Sequence, residues 1–244
     1  MTTHSHLAAN WSDIRRRVDE ACRAAGRDPA EVSILPVSKT FGPELIREGV
    51  ALGMRRFGEN KVQEIREKAP LLVDCGIAWV MIGHLQTNKA KDVARLASEV
   101  QSLDRLELAE ALDRRLQHEG RAIDVLVQVK TSTEPSKYGL TPEQLPGFLD
   151  TLRGYATLRV GGLMTLAIHS TDPVEVRGCF RRLRELRDQA VLQGHDLPKL
   201  SMGMSGDFPL AIAEGATEVR IGTAIFGRRP YPDSHYWPES SDGK

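Results

Sequence analysis

The feature that most limits the possible folds is a regular alternation of short apolar runs and amphipathic segments along nearly the whole chain. Eight apolar runs of strand length alternate with helical patterns. Strands that alternate with helices pair in parallel through right-handed crossovers. Eight such units in 244 residues fit a closed barrel better than an open, doubly wound sheet. The sequence therefore predicts an α/β protein with a single-domain (β/α)8 barrel of the TIM type.

The predicted elements leave only the two ends of the chain outside the barrel. The predicted strands are residues 32–38, 54–58, 78–83, 99–103, 123–129, 158–166, 200–204 and 218–222. The predicted helices are residues 43–52, 61–68, 88–97, 105–118, 142–152, 173–192 and 207–214, with an extra amphipathic helix near 7–25. Because no linker rich in Pro, Gly or Ser interrupts this order, we expect one domain over residues 7–231. Residues 1–6 and 232–244 are expected to be flexible ends.

The charge balance argues against several classes of partner. The chain has 33 basic and 33 acidic side chains and a pI of about 7.1, so it lacks the basic excess typical of nucleic-acid-binding proteins. No apolar stretch approaches the roughly 18 residues of a membrane helix. The first residues, MTTHSHLAANWSDI, lack the basic and apolar regions of a secretory signal. We therefore expect a cytoplasmic protein without nucleic-acid or membrane partners.

Polar residues follow most of the predicted strands, at the end of the barrel where proteins of this fold carry their function. They are Lys39 after the first strand, Glu59 and Asn60 after the second, His84, Gln86 and Asn88 after the third, Lys130 and Lys137 after the fifth, Ser205 after the seventh, and Gly222 and Thr223 after the eighth. Their common position predicts a functional site at the carboxyl ends of the strands.

Lys39 is the most informative of these residues. It ends an apolar strand, so its ammonium would lie at the mouth of a packed barrel, where desolvation lowers the pKa of a lysine. A lysine that attacks a carbonyl group to form a Schiff base needs this neutral amine. The simpler alternative is a surface lysine whose aliphatic stem lies along the strand end. The position alone leaves both interpretations open.

Two glycine-rich segments favour a phosphate site beside Lys39. Residues 201–206 (SMGMSG) follow the seventh strand, and residues 220–227 (RIGTAIFG) follow the eighth. Together they offer backbone N–H groups, the hydroxyls of Ser205 and Thr223, and predicted helix N-termini, all of which suit a phosphate dianion. The alternative is that the glycines only form turns. In a closed barrel the first and eighth strands are neighbours, so an aldehyde with a phosphate arm, such as pyridoxal 5′-phosphate (PLP), would span both features.

The sequence resembles the pyridoxal phosphate homeostasis proteins, also called the YggS/PROSC family, over nearly its whole length. The matching motifs are PVSKT (36–40), FGEN (57–60), QE (63–64), IGHLQTNK (82–89), SK (136–137) with Gly139, GLM (162–164), LSMGMS (200–205) and VRIGTAIFG (219–227). The chain departs from the family pattern at Phe41, where many members have a further lysine. A role of that lysine in handling the cofactor is therefore not carried over.

The resemblance implies a barrel similar to the N-terminal domain of alanine racemase and a set of PLP-binding residues. The implied set is Lys39 as the Schiff-base lysine, Asn60 and His84 near the ring, Ser205, Gly222 and Thr223 around the phosphate, Arg220 facing the pyridine nitrogen, and Met204 as a further cofactor-binding residue at the barrel mouth. Lys137 matches a further family lysine, and we hypothesise that it is a secondary site for the aldehyde. We expect no catalytic residue and no metal ligand.

The implied function is storage, buffering and delivery of PLP rather than turnover of an amino acid. A guanidinium at the pyridine nitrogen disfavours protonation there, which makes the ring a weak electron sink. Racemisation needs proton transfer on both faces of the cofactor, and none of the four tyrosines is obviously placed as a second base. The chain also ends soon after the eighth strand, without residues for the second domain of alanine racemases. We expect apo PLP-dependent enzymes as recipients and a monomer or weak homodimer.

Two other functions compete with this interpretation. One is a PLP-dependent amino-acid racemase or related enzyme, which would exchange the α-hydrogen of its substrate with solvent. The other is a barrel enzyme that acts on a phosphorylated aldehyde or sugar, with Lys39 as its Schiff-base lysine. That enzyme would be colourless as purified.

Overall fold

The computed structural model describes residues 4–132, 134 and 138–228, and these form a (β/α)8 barrel, as predicted. The strands are β1 (Ser33–Pro36), β2 (Arg56–Glu59), β3 (Ala78–Met81), β4 (Ala97–Leu103), β5 (Ile123–Gln128), β6 (Leu158–Met164), β7 (Lys199–Ser201) and β8 (Glu218–Ile221). The helices are α1 (His4–Ala24), α2 (Pro43–Ala51), α3 (Val62–Lys68), α4 (Ala90–Leu96), α5 (Leu106–Glu119), α6 (Leu145–Leu152), α7 (Pro173–Leu192), α8 (Phe208–Ala213) and α9 (Thr223–Phe226). Within these residues, no helix has the length and apolar character needed to cross a membrane.

The barrel closes at its carboxyl end, next to Lys39. The eight strands form one parallel sheet in the order β1-β8-β7-β6-β5-β4-β3-β2. A single bridge between Val37 and Gly58 joins the two edge strands, with the Ser38 amide donating to the Gly58 carbonyl at 3.0 Å. On its other side β1 pairs with β8, and Pro36 lies opposite Ile221. The segment that carries Lys39 therefore begins at the seam where the barrel closes.

The helices form around apolar stripes that face the sheet. In α7, Val176, Phe180 and Leu183 recur at helical spacing and are buried. The helix begins where Asp172 caps it, because its carboxylate accepts a hydrogen bond from the Val174 amide at 2.8 Å and Pro173 occupies the first turn. The sequence pattern thus fixes both the buried face and the start of this helix.

The barrel interior is polar at its centre. Gln101 on β4 donates to Glu218 on β8, and these strands are not neighbours in the sheet, so the contact crosses the lumen. Glu99, Gln101, Glu218 and Arg220 are all buried. Barrels of this fold are usually filled by branched apolar residues. The charged interior is therefore unusual.

The ends of most elements shift by a few residues from the predictions, and β7 and α1 are two examples. Strand β7 stops at Ser201, whereas the sequence predicts a strand up to Met204, because Gly203 has a φ of +92° and a Cβ there would lie 2.6 Å from the Ala211 side chain. At the N-terminus α1 begins at His4, whereas the sequence predicts a helix from about residue 7. The predicted tail, residues 232–244, lies outside the described residues.

Candidate functional site

The structure brings the predicted site residues to one end of the barrel. Lys39 lies two residues after the Val37 bridge, Asn60 directly follows β2, and His84 lies three residues beyond the end of β3. Ser205 follows β7, Gly222 and Thr223 follow β8, and Arg220 lies within β8. Lys137 lies outside the described residues. Because β1 and β8 are paired, Lys39 and Gly222 extend from neighbouring strands.

Lys39 is carried by a tight, conformationally strained turn. The Phe41 amide donates to the Ser38 carbonyl at 3.1 Å, and Thr40 has a φ of +72°. Thr40 is the one described residue other than glycine with a positive φ, a region that costs a β-branched residue on the order of 1–2 kcal/mol. The turn is held from one side by Glu64, whose Oε2 accepts from the Thr40 amide at 2.6 Å. Its conformation is therefore imposed by tertiary contacts.

A buried ionic cluster lies beneath this turn, between β1, β2 and α3. The Lys68 ammonium donates to the Ser38 carbonyl at 3.0 Å, to Glu59 Oε1 at 2.8 Å and to Glu64 Oε2 at 2.8 Å. The Ser38 hydroxyl donates to the same Glu59 oxygen at 2.7 Å. We call Ser38, Glu59, Glu64 and Lys68 the Lys39 clamp. Burial raises the pKa of Glu59 to about 7, although Lys68 opposes the shift.

Asn60 and the His84 loop are in direct contact at the mouth. A Cβ on Gly83 would lie 2.1 Å from the Asn60 carbonyl oxygen, so only glycine fits there. The His84 ring stacks on Tyr138, with centroids 3.7 Å apart and planes 16° from parallel. Burial lowers the pKa of His84, although Asp104, whose carboxylate lies 3.7 Å away, opposes the shift. The pKa of His84 therefore lies below its usual value, and Tyr138 is a contact that the sequence did not predict.

Arg220 is fully enclosed and held in one orientation. One guanidinium nitrogen donates to the Ser201 hydroxyl at 2.7 Å, and the other donates to the Thr165 carbonyl at 2.8 Å. Burial lowers the pKa of Arg220 to about 10, against the opposing effect of Glu218 and Asp207. The side chain therefore stays charged at neutral pH, with a fixed direction.

A hydrogen-bonded column runs through the barrel below Arg220. Ser201 donates to Gln101 Oε1 at 2.7 Å, and Gln101 Nε2 donates to Glu99 at 2.9 Å and to Glu218 at 2.5 Å. Arg56 donates to both carboxylates at 2.6 Å. We call Arg56, Glu99, Gln101, Ser201 and Glu218 the barrel column. Sequence analysis missed it, although polar residues two apart in an apolar strand, such as Glu99 and Gln101, signal one polar face.

The loops after β7 and β8 each combine partly buried and exposed residues. Gly222 is partly buried, and a Cβ there would lie 3.3 Å from the Val37 carbonyl oxygen, so the β8 loop runs close to β1. Thr223 is exposed at the start of α9, and Ser205 is partly buried. Met204 is 44% exposed, and its amide donates to Asp207 at 2.5 Å. These loops present hydroxyls and backbone amides at the mouth.

Comparisons with known proteins agree with this fold and show the family. The family described as alanine racemase, N-terminal domain, matches residues 4–230. Pyridoxal phosphate homeostasis proteins from Aquifex aeolicus and Pseudomonas aeruginosa are each 42% identical to this chain, over 90% and 93% of it and 97% of each relative. The structure of PipY from Synechococcus elongatus with PLP bound has a TM-score of 0.80 at 35% identity, covering 91% of this chain and 100% of PipY. The chain therefore belongs to the alanine racemase N-terminal domain family and, within it, to the pyridoxal phosphate homeostasis proteins.

Proposed function

We propose that this protein binds PLP and serves its homeostasis by storing it, buffering its concentration and delivering it to apo-enzymes in the cytoplasm. The observation that carries the proposal is the pairing of β1 with β8, which sets Lys39 beside a loop of glycine and hydroxyl residues and above the enclosed cation Arg220. PLP has an aldehyde, a phosphate and a pyridine nitrogen, and each has a complementary group at this end of the barrel. The binding unit is one barrel, residues 7–231.

The donor set fits the three ends of PLP. Lys39 offers an amine for a Schiff base with the aldehyde. Ser205, Gly222 and Thr223 offer hydroxyls and the first amides of α9, which have no acceptor within the helix, to the phosphate. Asn60, His84 and Met204 lie in the loops around the same mouth, where they would line the site of the bound cofactor. Thr40, beside Lys39, is partly buried, and its Oγ1 has no hydrogen-bond partner among the described residues. This hydroxyl is therefore available to a polar group of the ligand.

Arg220 directs the site towards binding rather than turnover. Bound PLP supplies a reactive aldehyde and a ring that can withdraw electrons from an attached amine. A guanidinium that is charged at pH 7 and held by Ser201 and Thr165 donates hydrogen bonds and has no proton-accepting capacity. Arg220 would therefore leave the pyridine nitrogen unprotonated, and the ring would withdraw electrons only weakly. We infer little or no racemase activity.

The release of PLP follows from the same chemistry, because formation of a Schiff base from an amine and an aldehyde is reversible in water. Lys137 is proposed as a secondary site that receives the aldehyde during transfer. Replacing it should slow transfer to an apo-enzyme without changing the amount of PLP held at Lys39. We propose that the protein acts as a monomer or weak homodimer.

The test is a transfer experiment combined with a turnover assay. Protein loaded with PLP is mixed with an excess of an apo PLP-dependent enzyme, and recovery of the enzyme's activity is followed over time. In parallel, the loaded protein is incubated with alanine in D2O, and deuterium at the α-carbon is measured by NMR. Transfer without deuterium incorporation is expected. Rapid incorporation would contradict the proposal and favour the racemase alternative.

A further inference from the structure

We propose that Lys68, acting with Glu59 and Glu64, is a positioning residue that holds the backbone of Lys39 for reaction with an aldehyde. The proposal rests on the proposed function, because it concerns how fast Lys39 reacts with PLP. It assigns a role to a buried ionic cluster that does not itself face the ligand. The four residues of the Lys39 clamp carry the argument.

The first step is that every hydrogen-bond donor of the Lys68 ammonium has an acceptor. An ammonium has three N–H donors, and Lys68 has three acceptors within 3.0 Å, which are the Ser38 carbonyl and one oxygen each of Glu59 and Glu64. The Lys68 side chain is only 9% exposed. Its position is therefore fixed, and one of its three bonds fixes the backbone directly before Lys39.

The second step is that the same cluster also fixes the backbone directly after Lys39. Glu64 accepts from Lys68 and from the Thr40 amide through the same oxygen, at 2.8 and 2.6 Å. Thr40 holds a left-handed conformation that a threonine leaves when nothing retains it. Lys39 is thus held between two backbone groups that both depend on Lys68 and Glu64. Without the cluster, the turn has a lower-energy conformation available.

The third step is that stability alone does not explain the cluster. Buried ion pairs are often no more stabilising than apolar residues of similar volume. Here two carboxylates share one ammonium, and Glu59 Oε2 has no hydrogen-bond partner in the part of the chain that the structure describes. Such a cluster stabilises the packing of α3 poorly. What it does achieve is to hold the backbone of Ser38 and Thr40 in one position.

The position of Lys39 matters because Schiff-base formation depends on the approach of the amine. The neutral amine of Lys39 bonds to the aldehyde carbon, and the aldehyde oxygen leaves as water with both protons of the amine. Holding two reacting groups in the correct geometry accelerates such a step by avoiding the loss of orientational freedom. The clamp therefore affects the rate of this step, whereas contacts to the phosphate and the ring are made by other loops.

The test compares Lys68→Met/Glu59→Gln with the wild-type protein. This double variant removes the ammonium and one carboxylate together, so no unpaired charge is buried at position 59. Lys91→Met, at an exposed position on α4, is the matched control. Two quantities are measured over a range of pH: the rate constant of the visible absorbance change on mixing with PLP, and the Kd for pyridoxine 5′-phosphate, which has an alcohol in place of the aldehyde.

We expect the double variant to react at least about tenfold more slowly at every pH, with the Kd for pyridoxine 5′-phosphate changed by less than about twofold. Lys91→Met is expected to match the wild-type protein in both. Glu64→Ala removes the acceptor of the Thr40 amide together with one of the three acceptors of Lys68, at a partly exposed position, and gives a second test with a smaller slowing expected because the Lys68 bond to the Ser38 carbonyl is kept. This variant keeps the proposal testable if the double variant does not fold.

Two results would overturn the proposal. One is a wild-type reaction rate in the variants, and the other is a loss of rate that equals the loss of affinity for pyridoxine 5′-phosphate. Either result leaves the proposed function intact. A wild-type protein that does not react with PLP at all would instead overturn the proposed function and this proposal together.

Discussion

Two buried polar clusters differ in how completely their charges are matched. The Lys39 clamp contains two carboxylates and one ammonium, and Glu59 Oε2 lacks a partner among the described residues. The barrel column, together with Arg220, contains two carboxylates and two guanidinium groups. Every carboxylate oxygen of Glu99 and Glu218 accepts a hydrogen bond. The first cluster is therefore electrically incomplete, and the second is balanced.

This difference in charge balance gives the two ends of the proposed ligand site a different dependence on pH. Burial raises the pKa of Glu59 to about 7, so the clamp changes its charge near neutral pH. Burial lowers the pKa of Arg220 only to about 10, so this guanidinium stays charged over the same range. The end that would react with the aldehyde is thus adjustable by pH, whereas the end that would face the pyridine nitrogen is fixed. The following predictions test this contrast.

The largest expected effect comes from removing the cation that ends the column. Arg220→Met leaves the column with an excess negative charge and leaves Ser201 and the Thr165 carbonyl without their donors. Breaking a buried charge network in this way costs about 3–5 kcal/mol, measured as the free energy of unfolding in urea. Arg16→Met is the matched control, because Arg16 also bridges two carboxylates but lies on the surface.

The double variant Arg220→Met/Glu218→Gln sharpens this prediction. Neutralising Glu218 removes the excess charge, so the double variant is expected to be more stable than Arg220→Met alone. The gain, about 1–2 kcal/mol, would appear as non-additivity in a double-mutant cycle. Additive losses would contradict the view that Arg220 and Glu218, two residues apart on β8, balance each other's charge inside the barrel.

A smaller effect is expected from Glu59→Gln, and it depends on pH. The pKa of Glu59 is raised from 4.5 to about 7, so the folded protein binds this proton more tightly than the unfolded chain. The associated stability is full below about pH 4.5 and is lost as pH rises through about 7. Wild-type protein should therefore lose about 1–3 kcal/mol more than Glu59→Gln between pH 5 and pH 8, measured by urea unfolding.

The column provides the contrast for that measurement. The pKa of Arg220 lies above this window, so Arg220→Met should follow the wild-type dependence on pH, offset by a constant amount. Equal pH dependence in wild-type protein and Glu59→Gln would contradict a titrating carboxyl group in the clamp.

The smallest effect is expected at Thr40. Glycine adopts a φ of +72° without the steric conflict of a β-branched residue, so Thr40→Gly relieves strain in the turn while it increases the entropy of the unfolded chain. The net change in the free energy of unfolding should be within about 1 kcal/mol. Thr40→Val keeps the strain and removes only the unpartnered Oγ1, so it separates the side-chain effect from the backbone effect. A large loss in Thr40→Gly would show that the threonine side chain, rather than the clamp, holds the turn.

The parts of the molecule that could be predicted from the sequence are those set by local patterns. The apolar stripe of α7 and its Asp172-Pro173 start are encoded within a few residues, and so is the alternation of strands and helices along the chain. Lys39 was predicted from its place at a strand end as well as from the family motifs, whereas the role of Arg220 came from those motifs. The clamp was not predictable, because Lys68 looks like an ordinary basic residue at a helix end and is buried only where α3 covers the barrel seam. The same holds for Gln101 and Glu218, which meet across 117 residues.

The exposure of neighbouring residues is a second property that local patterns do not determine. Met202 and Met204 occupy the same motif, yet Met202 is fully buried and Met204 is 44% exposed. In a continuous strand, residues 202 and 204 would face the same side of the sheet. The chain instead leaves β7 at Ser201 and turns at Gly203, so the two side chains differ in exposure. Sequence alone therefore placed Met204 near the ligand without showing that it lies at an open edge.

The most direct test of the account is reductive trapping followed by peptide mapping. The protein is incubated with PLP, its visible spectrum is recorded, sodium borohydride is added, and the digested protein is analysed by mass spectrometry. The account predicts an absorption band that disappears on reduction and a pyridoxyl adduct on Lys39, with none on Lys68, whose ammonium is enclosed by three acceptors. A protein that takes up no PLP, or that carries the adduct elsewhere while Lys39 stays unmodified, would contradict it.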